Sequence, residues 1–296
     1  MSAESALEDA KRLTHLLYNV LAVEVAPESI ADDEEGVLGG LYFKLLAHAA
    51  SAIAIAERPT PVPGTKLSFT DVASVYTLAR NAYEAALVLH FVFLVPESKV
   101  SAEQRKLRLL RWKLGGFLEG KEWKPLRREH QERKAEYAEE AERLRDQIKQ
   151  LPAFQALPDR WKKGMGRVAT KDKVLKGHSW KEEHWHELAA EMDIIQGHFK
   201  PTYSHLCAYA HSGAVSAGQL WNMNTMPDKE NVRRALARTA LQLLVVPLAL
   251  TILAYAERFP EAKAALHKDA KDLAFVTERA GFRTVDFTKS DRATSD

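Results

Sequence analysis

Three features of the sequence predict an all-α fold, a helical bundle with an inserted basic antiparallel helical hairpin. Apolar side chains recur at three- and four-residue spacing, as in Leu13, Leu16, Leu17, Val20 and Leu21. No strand-like alternation runs long enough to build a sheet, and no internal repeat is visible. Two stretches, Asp71–Pro96 and Thr239–Ala256, are apolar around nearly the whole circumference, as helices buried on most sides are. The composition, 46% hydrophobic and 28% charged over 296 residues, is that of a soluble globular chain of one large domain or two smaller ones.

Residues 4–24 read as a first helix that Pro27 and the acidic run DDEEG end. Residues 37–57, rich in alanine, read as a second; His48 on it is a hydrogen-bonded core residue. The proline-rich loop 58–70 leads to the helix around which the chain is organised, DVASVYTLARNAYEAALVLHFVFLVP, with Ser68 as its cap and Pro96 as its stop. Beyond Pro96, Leu107, Leu110, Leu114 and Phe117 form one narrow apolar stripe. Tyr137, Ala141, Leu144, Ile148 and Leu151 form another, and a short turn joins them into a hairpin. Residues 152–181 make an irregular basic loop. A helix over 182–196 follows, broken at Gly197, and Pro201 opens the next, which Gly213 ends. The uncharged 18-residue run 239–256 reads as the central core helix of the bundle rather than a membrane span. A final helix covers 261–280, and 288–296 is a disordered tail. The expected division is a core of 1–97 and 182–287 around an insertion of 98–181.

The net charge of +2 conceals an asymmetry. Ser101–Lys181 holds 22 Lys and Arg against 12 Asp and Glu, a net +10, which leaves 20 against 28, or −8, elsewhere. Such a segment is either a solvated hairpin or a surface for nucleic acid or an acidic protein. Its most nucleic-acid-like part is Arg160, Trp161, Lys162, Lys163 and Arg167, where cations can neutralise phosphates and a ring can stack on a base. A single cysteine excludes an internal disulfide framework and a cysteine-based zinc site. The acidic start of the chain lacks the layout of an export signal, so a cytoplasmic location is expected.

Three constellations offer chemistry. Glu183 and His186 form one E-x-x-H unit, where carboxylate-bridged metal bundles use two, so no metal or other cofactor is expected. Cys207 has no basic neighbour in sequence and reads as an inert thiol. The third is a polar set on two apolar helices: Arg80 and Glu84, one turn apart, with Tyr203, Ser204 and His211. Buried charges need partners, so the second helix should answer the first, either as a structural network or as a site.

Ser74, Leu78, Arg80 and Glu84, in the pattern S-x-x-x-L-x-R-x-x-x-E, resemble the first signature of a bacterial family catalogued as a domain of unknown function, number 5677. Tyr203 followed by His211, Ser212 and Gly213 resembles its second, over about residues 70–215. The resemblance implies an all-helical protein with Arg80, Glu84 and His211 brought together, and no particular activity. A looser likeness is to small helical ribonucleases of bacterial defence and toxin systems, whose R-x4–6-H motif this chain lacks, since Arg80 and His90 are ten apart. The expected function is a binding or regulatory module with a polar pocket and a basic arm. The alternative is a metal-independent ribonuclease-like effector using Arg80, Glu84 and His211. A second copy of the chain is a further candidate partner; a membrane is not.

Overall fold

The structure is a computed structural model that describes residues 3–23, 32–61, 63–66, 68–122, 128–159, 170–175, 185–210 and 214–285. These residues form thirteen α-helices and a two-stranded ribbon, so the fold is all-α. The chain divides into two compact units, 1–90 with 189–296 and 91–188.

In the first unit, α1 (Ala3–Leu21) and α2 (Asp32–Glu57) lead to β1 (Thr60–Pro61) and β2 (Ser68–Phe69), an antiparallel ribbon whose turn contains Gly64 at φ 77°. The central helix α3 (Val72–Leu89) packs against α2, α9 (Gln196–Ala210) and α11 (Lys229–Arg258). Its cap is Asp71 rather than Ser68. The Asp71 carboxylate accepts from the Ser74 amide at 3.1 Å and from the Ser74 hydroxyl at 2.6 Å, while Ser68 lies in β2. One residue earlier, the Thr70 hydroxyl donates to Glu230 at 2.6 Å and ties this end of α3 to the start of α11.

The α-helical part of the organising stretch stops at Leu89, short of Pro96, and widens into a π-helical turn over His90–Leu94. The division between the units falls inside that turn. In the second unit, α4 (Ala102–Glu122) reaches back to the turn's carbonyls. Arg105 donates to Val95 O at 3.1 Å, and Arg108 donates to Phe91 O at 3.1 Å with its guanidinium 4.2 Å above the Phe91 ring. Cations at a helix C-terminus satisfy carbonyls that lack intrahelical donors and oppose the helix dipole. Leu107, Leu110 and Leu114 of α4 then pack on Ala141, Leu144 and Ile148 of α5 (Arg128–Gln150), closed by Leu151, Phe154 and Val174. The stripes predicted from sequence are therefore a small core of their own, with Phe117 edge-on to Tyr137. Short helices α6 (Pro152–Gln155) and α7 (Lys171–Leu175) follow. Helix α8 (Trp185–Glu191) straddles the second division between the units.

Two expectations about the return to the first unit are corrected. The break after α8 is at residues 192–195, where Asp193 takes φ 58°, a left-handed backbone that Asp tolerates better than most residues. Helix α9 runs unbroken through Gly197, and Pro201 lies inside it. A proline there cannot donate to the carbonyl four residues back, that of Gly197, so α9 forgoes one bond in its second turn. Helix α10 (Ala214–Asn224) follows, and α11 carries Pro247 inside it. The single helix expected over 261–280 is two, α12 (Pro260–Leu266) and α13 (Ala270–Gly281), divided before the new cap Asp269. Arg279 on α13 grips Asp9 of α1 through two bonds, at 2.7 and 3.2 Å, so the chain's first and last helices close the bundle.

Among the described residues, two helices are long and apolar enough to cross a membrane, Gly36–Glu57 and Lys229–Arg258. The apolar window of α11 is 72% buried, against α1, α2, α3, α12 and α13, which is the packing of a core helix. That of α2 is only 39% buried.

Removing the Asp71 cap tests the placement of α3. Asp71→Ala should cost about 1 kcal/mol in urea unfolding, while Asp71→Asn, which keeps an accepting oxygen, should cost a few tenths. Equal losses for both variants would mean that the carboxylate's charge, and not the cap, matters.

Candidate functional site

On α3, Tyr76, Arg80 and Glu84 follow one another at four-residue spacing, so they form a ridge one turn apart. The ridge faces α9, where Phe199, Tyr203 and Cys207 repeat the same spacing. Arg80 Nη2 lies 2.8 Å from Glu84 Oε1. The Tyr203 hydroxyl donates to that same oxygen at 2.7 Å. Arg80 also hydrogen-bonds the Tyr203 hydroxyl, with its guanidinium carbon 5.8 Å from the ring centroid. Phe199 stacks on the other ring of the series, Tyr203, at 5.2 Å, and holds its orientation.

The pair expected to be buried is half-buried, with side-chain exposures of 20% for Arg80 and 21% for Glu84. Water therefore reaches it. Burial works against the Arg80 charge, but the Tyr203 bond and the Glu84 carboxylate outweigh it and hold the guanidinium protonated more firmly than usual. Burial, then the bond to Glu84, pushes the Tyr203 phenol well up, so it remains a donor. Cys207 joins the cluster, one turn beyond Tyr203. Its thiol is pushed up by burial, which prevails over the opposing field of Arg80 and the bond from Tyr203.

A second polar contact lies along the same two helices. Tyr76 bonds the His205 Nε2 at 2.9 Å and stacks on Tyr209 at 4.3 Å. The Tyr209 hydroxyl donates to Gln219 of α10 at 2.6 Å. Burial lowers the His205 pKa, which favours the neutral ring. Sequence reasoning passed over Tyr76, His205, Tyr209 and Gln219. The four-residue spacing of Tyr76 with Arg80, and of His205 with Tyr209, was the available signal.

The other predicted residues divide in two. Ser204 is exposed on α9, a hundred degrees round from Tyr203, and stays out of the cluster. His211 lies outside the described residues, as do Arg160, Trp161, Lys162, Lys163 and Arg167. Among the described residues no three His, Cys, Asp or Glu side chains gather as metal ligands; Glu183 lies outside them and His186 is exposed.

The half-buried setting fixes the size of two effects. A fully exposed i,i+4 pair contributes about 0.3–0.5 kcal/mol, whereas breaking a buried pair costs roughly 3–5 kcal/mol. Arg80→Met and Glu84→Leu should each lose about 1–3 kcal/mol, and the double variant should lose less than their sum. Strictly additive losses in a urea double-mutant cycle would dissolve the cluster. Cys207 is the sole cysteine, so alkylation reads the other effect directly. The thiolate is the reactive form, and the folded thiol titrates above its ordinary range. Iodoacetamide should therefore label the native protein more slowly at pH 8 than the unfolded chain, with a higher pH midpoint. Arg80→Met should raise that midpoint further, because Arg80 pulls it down; a native midpoint below the unfolded one would contradict the geometry.

No curated protein and no solved structure matches the chain. The profile of one family does, over residues 35–230, which spans α2 to the first turn of α11 and includes both the Arg80/Glu84 and the Tyr203 segments. With two thirds of its length matched, the chain belongs to the family of unknown function DUF5677.

Proposed function

We propose that this chain is a binding or regulatory module of the bacterial cytoplasm. It has a polar recognition site at Arg80, Glu84 and Tyr203, and a basic segment that takes an acidic partner, nucleic acid first. The observation that carries this reading is the proton state of the cluster. A general acid or base works best when its pKa lies near the operating pH. Here burial and bonding hold Tyr203 and Cys207 protonated and favour a neutral His205, and Arg80 is already matched by Glu84. A set of neutral donors around a compensated ion pair suits recognition better than turnover.

The helix boundaries also relocate the positive charge. Helix α4 holds six Lys and Arg against three Asp and Glu, and α5 six against seven. Within α5, Arg143 pairs with Glu140, Arg145 with Glu142, and Lys149 with Asp146 at 2.9 Å. The two helices together are thus nearly balanced, at twelve against ten, and residues 151–181, with eight against two, carry most of the excess. That segment contains Arg160, Lys162, Lys163 and Arg167, beside Trp161.

Fluorescence anisotropy with a labelled single-stranded 20-mer RNA tests the proposal. Binding at 50 mM salt should weaken steeply by 200 mM, and should be lost when Arg160, Lys162, Lys163 and Arg167 are all changed to Glu. Binding that ignores the charge reversal, or its absence at low salt, would refute the nucleic-acid partner. The same RNA incubated in EDTA should stay intact. Cleavage that disappears in His211→Ala would instead support the ribonuclease-like effector, with His211 as acid or base, Arg80 on phosphate and Glu84 orienting them.

A further inference from the structure

We infer that the outward face of α2 is the interface of a homodimer, in which two copies of α2 pack antiparallel about a two-fold axis near Ala47. At 100° per residue, Gly36, Gly40, Phe43, Ala47, Ala50 and Ala54 fall within about 80° of one another. All are exposed except Ala47, which is half-buried, and none is charged. The opposite face, with Leu38, Leu41, Tyr42, Leu45 and Ile53, is already buried in the bundle. A helix that is apolar on every side belongs inside a protein, and the bundle covers only one side of this one.

Phe43 stands at the middle of the outward stripe and is 72% exposed. Tyr18, on the adjacent helix α1, is 55% exposed. Lys11 and Tyr18 are seven apart and share a face of α1, and Lys11 pairs with Glu57 at the end of α2. Aromatic side chains cover about 150–250 Å² each. With the small residues between them, the face offers roughly 600 Å² per copy, or about 1,200 Å² in a pair, the lower edge of a stable interface.

The stripe complements itself in one orientation. With Ala47 on the axis, Gly40 lies opposite Ala54, and Phe43 lies over Ala50 and Ser51 of the other copy. A Cβ added at Gly36, Gly39 or Gly40 would meet nothing within 4 Å, so this end of the face is open to a close backbone. A parallel pair would set Phe43 against Phe43 and hold the helices apart. A lipid surface fits less well, since interfacial helices are flanked by Lys and Arg. Helix α2 has Lys44 alone against Asp32, Asp33, Glu34, Glu35 and Glu57.

Sedimentation equilibrium of the full chain at tens of micromolar should give twice the 33.2 kDa mass. Phe43→Glu should weaken association at least tenfold while leaving the circular-dichroism melt of the chain in place. In a Cys207→Ser background, Ala47→Cys should oxidise to a covalent dimer within minutes. Ala54→Cys should not, because its two copies would stand about 21 Å apart along the helices. A monomer at these concentrations, a dimer indifferent to Phe43→Glu, or equal cross-linking at both positions would overturn the inference. So would a wild-type monomer that sediments with vesicles of phosphatidylglycerol and phosphatidylcholine, which would make the membrane the occupant of this face.

Discussion

A guanidinium and a carboxylate on a helix covered by three others must be matched where they stand. Helix α3 gives its apolar sides to α2 and α11, so the strip that carries Arg80 and Glu84 is left for α9. That helix must bring polar atoms to the strip without losing its own apolar packing. Tyrosine meets both needs, with a ring that packs and a hydroxyl that bonds. Tyr203 does so between Phe199 and Glu84. The placement of α9, and of the α10 segment tied to it through Tyr209 and Gln219, follows from that one match.

Much of this was legible because it rests on periodicity. The helices announced themselves by three- and four-residue spacing, and the hairpin core by the 4-3 alternation of Ala141, Leu144, Ile148 and Leu151. Arg80 and Glu84 stood out because charge is rare on such a helix, and Tyr203 because buried charges need polar partners from a neighbouring helix. The less legible parts depend on which way a helix turns within its neighbours. Spacing says that Ser204 and His211 share a face; it does not say which face α3 takes. Thr202, Leu206 and Tyr209 are buried and Ser204 is not, a choice made by packing volume. Tyr76, His205 and Tyr209 were harder to read for a related reason, since their spacing alone does not tell a ring in the core from one whose polar tip meets a partner.

Punctuation residues misled where their context was tolerant. Pro201 looks like a helix start, and in isolation it would be one. In this chain it lies in the second turn of α9, and the helix begins at Gln196. The π-helical turn at His90–Leu94 leaves little compositional trace, because four of its five residues are as apolar as Ala85–Leu89 before it. What marks it is the pair Arg105 and Arg108, which donate to the carbonyls of Val95 and Phe91. Charge counted over a long window misled in the same way. Residues 151–181 carry +6 of the +10 of residues 101–181, while in α5 Arg143, Arg145 and Lys149 each pair with a carboxylate one turn away.

The exposure of the Arg80–Glu84 pair bears on why it is there at all. Replacing such a pair with apolar residues of similar shape is often neutral or stabilising, so stability alone does not account for it. Two other roles are open to a polar group at a helix contact, fixing the register of the two helices or presenting groups to a ligand. Register is already set by a second contact, the Tyr76–His205 bond with its stack on Tyr209, two turns along α3 from Glu84. A register lock has no need of water and is best buried, as Tyr76 is. Arg80 and Glu84 keep a fifth of their side-chain surface in solvent. Of these polar contacts between α3 and α9, the one at Tyr76 is buried and suits a lock on register, whereas the one at Arg80 leaves part of its charge open to solvent.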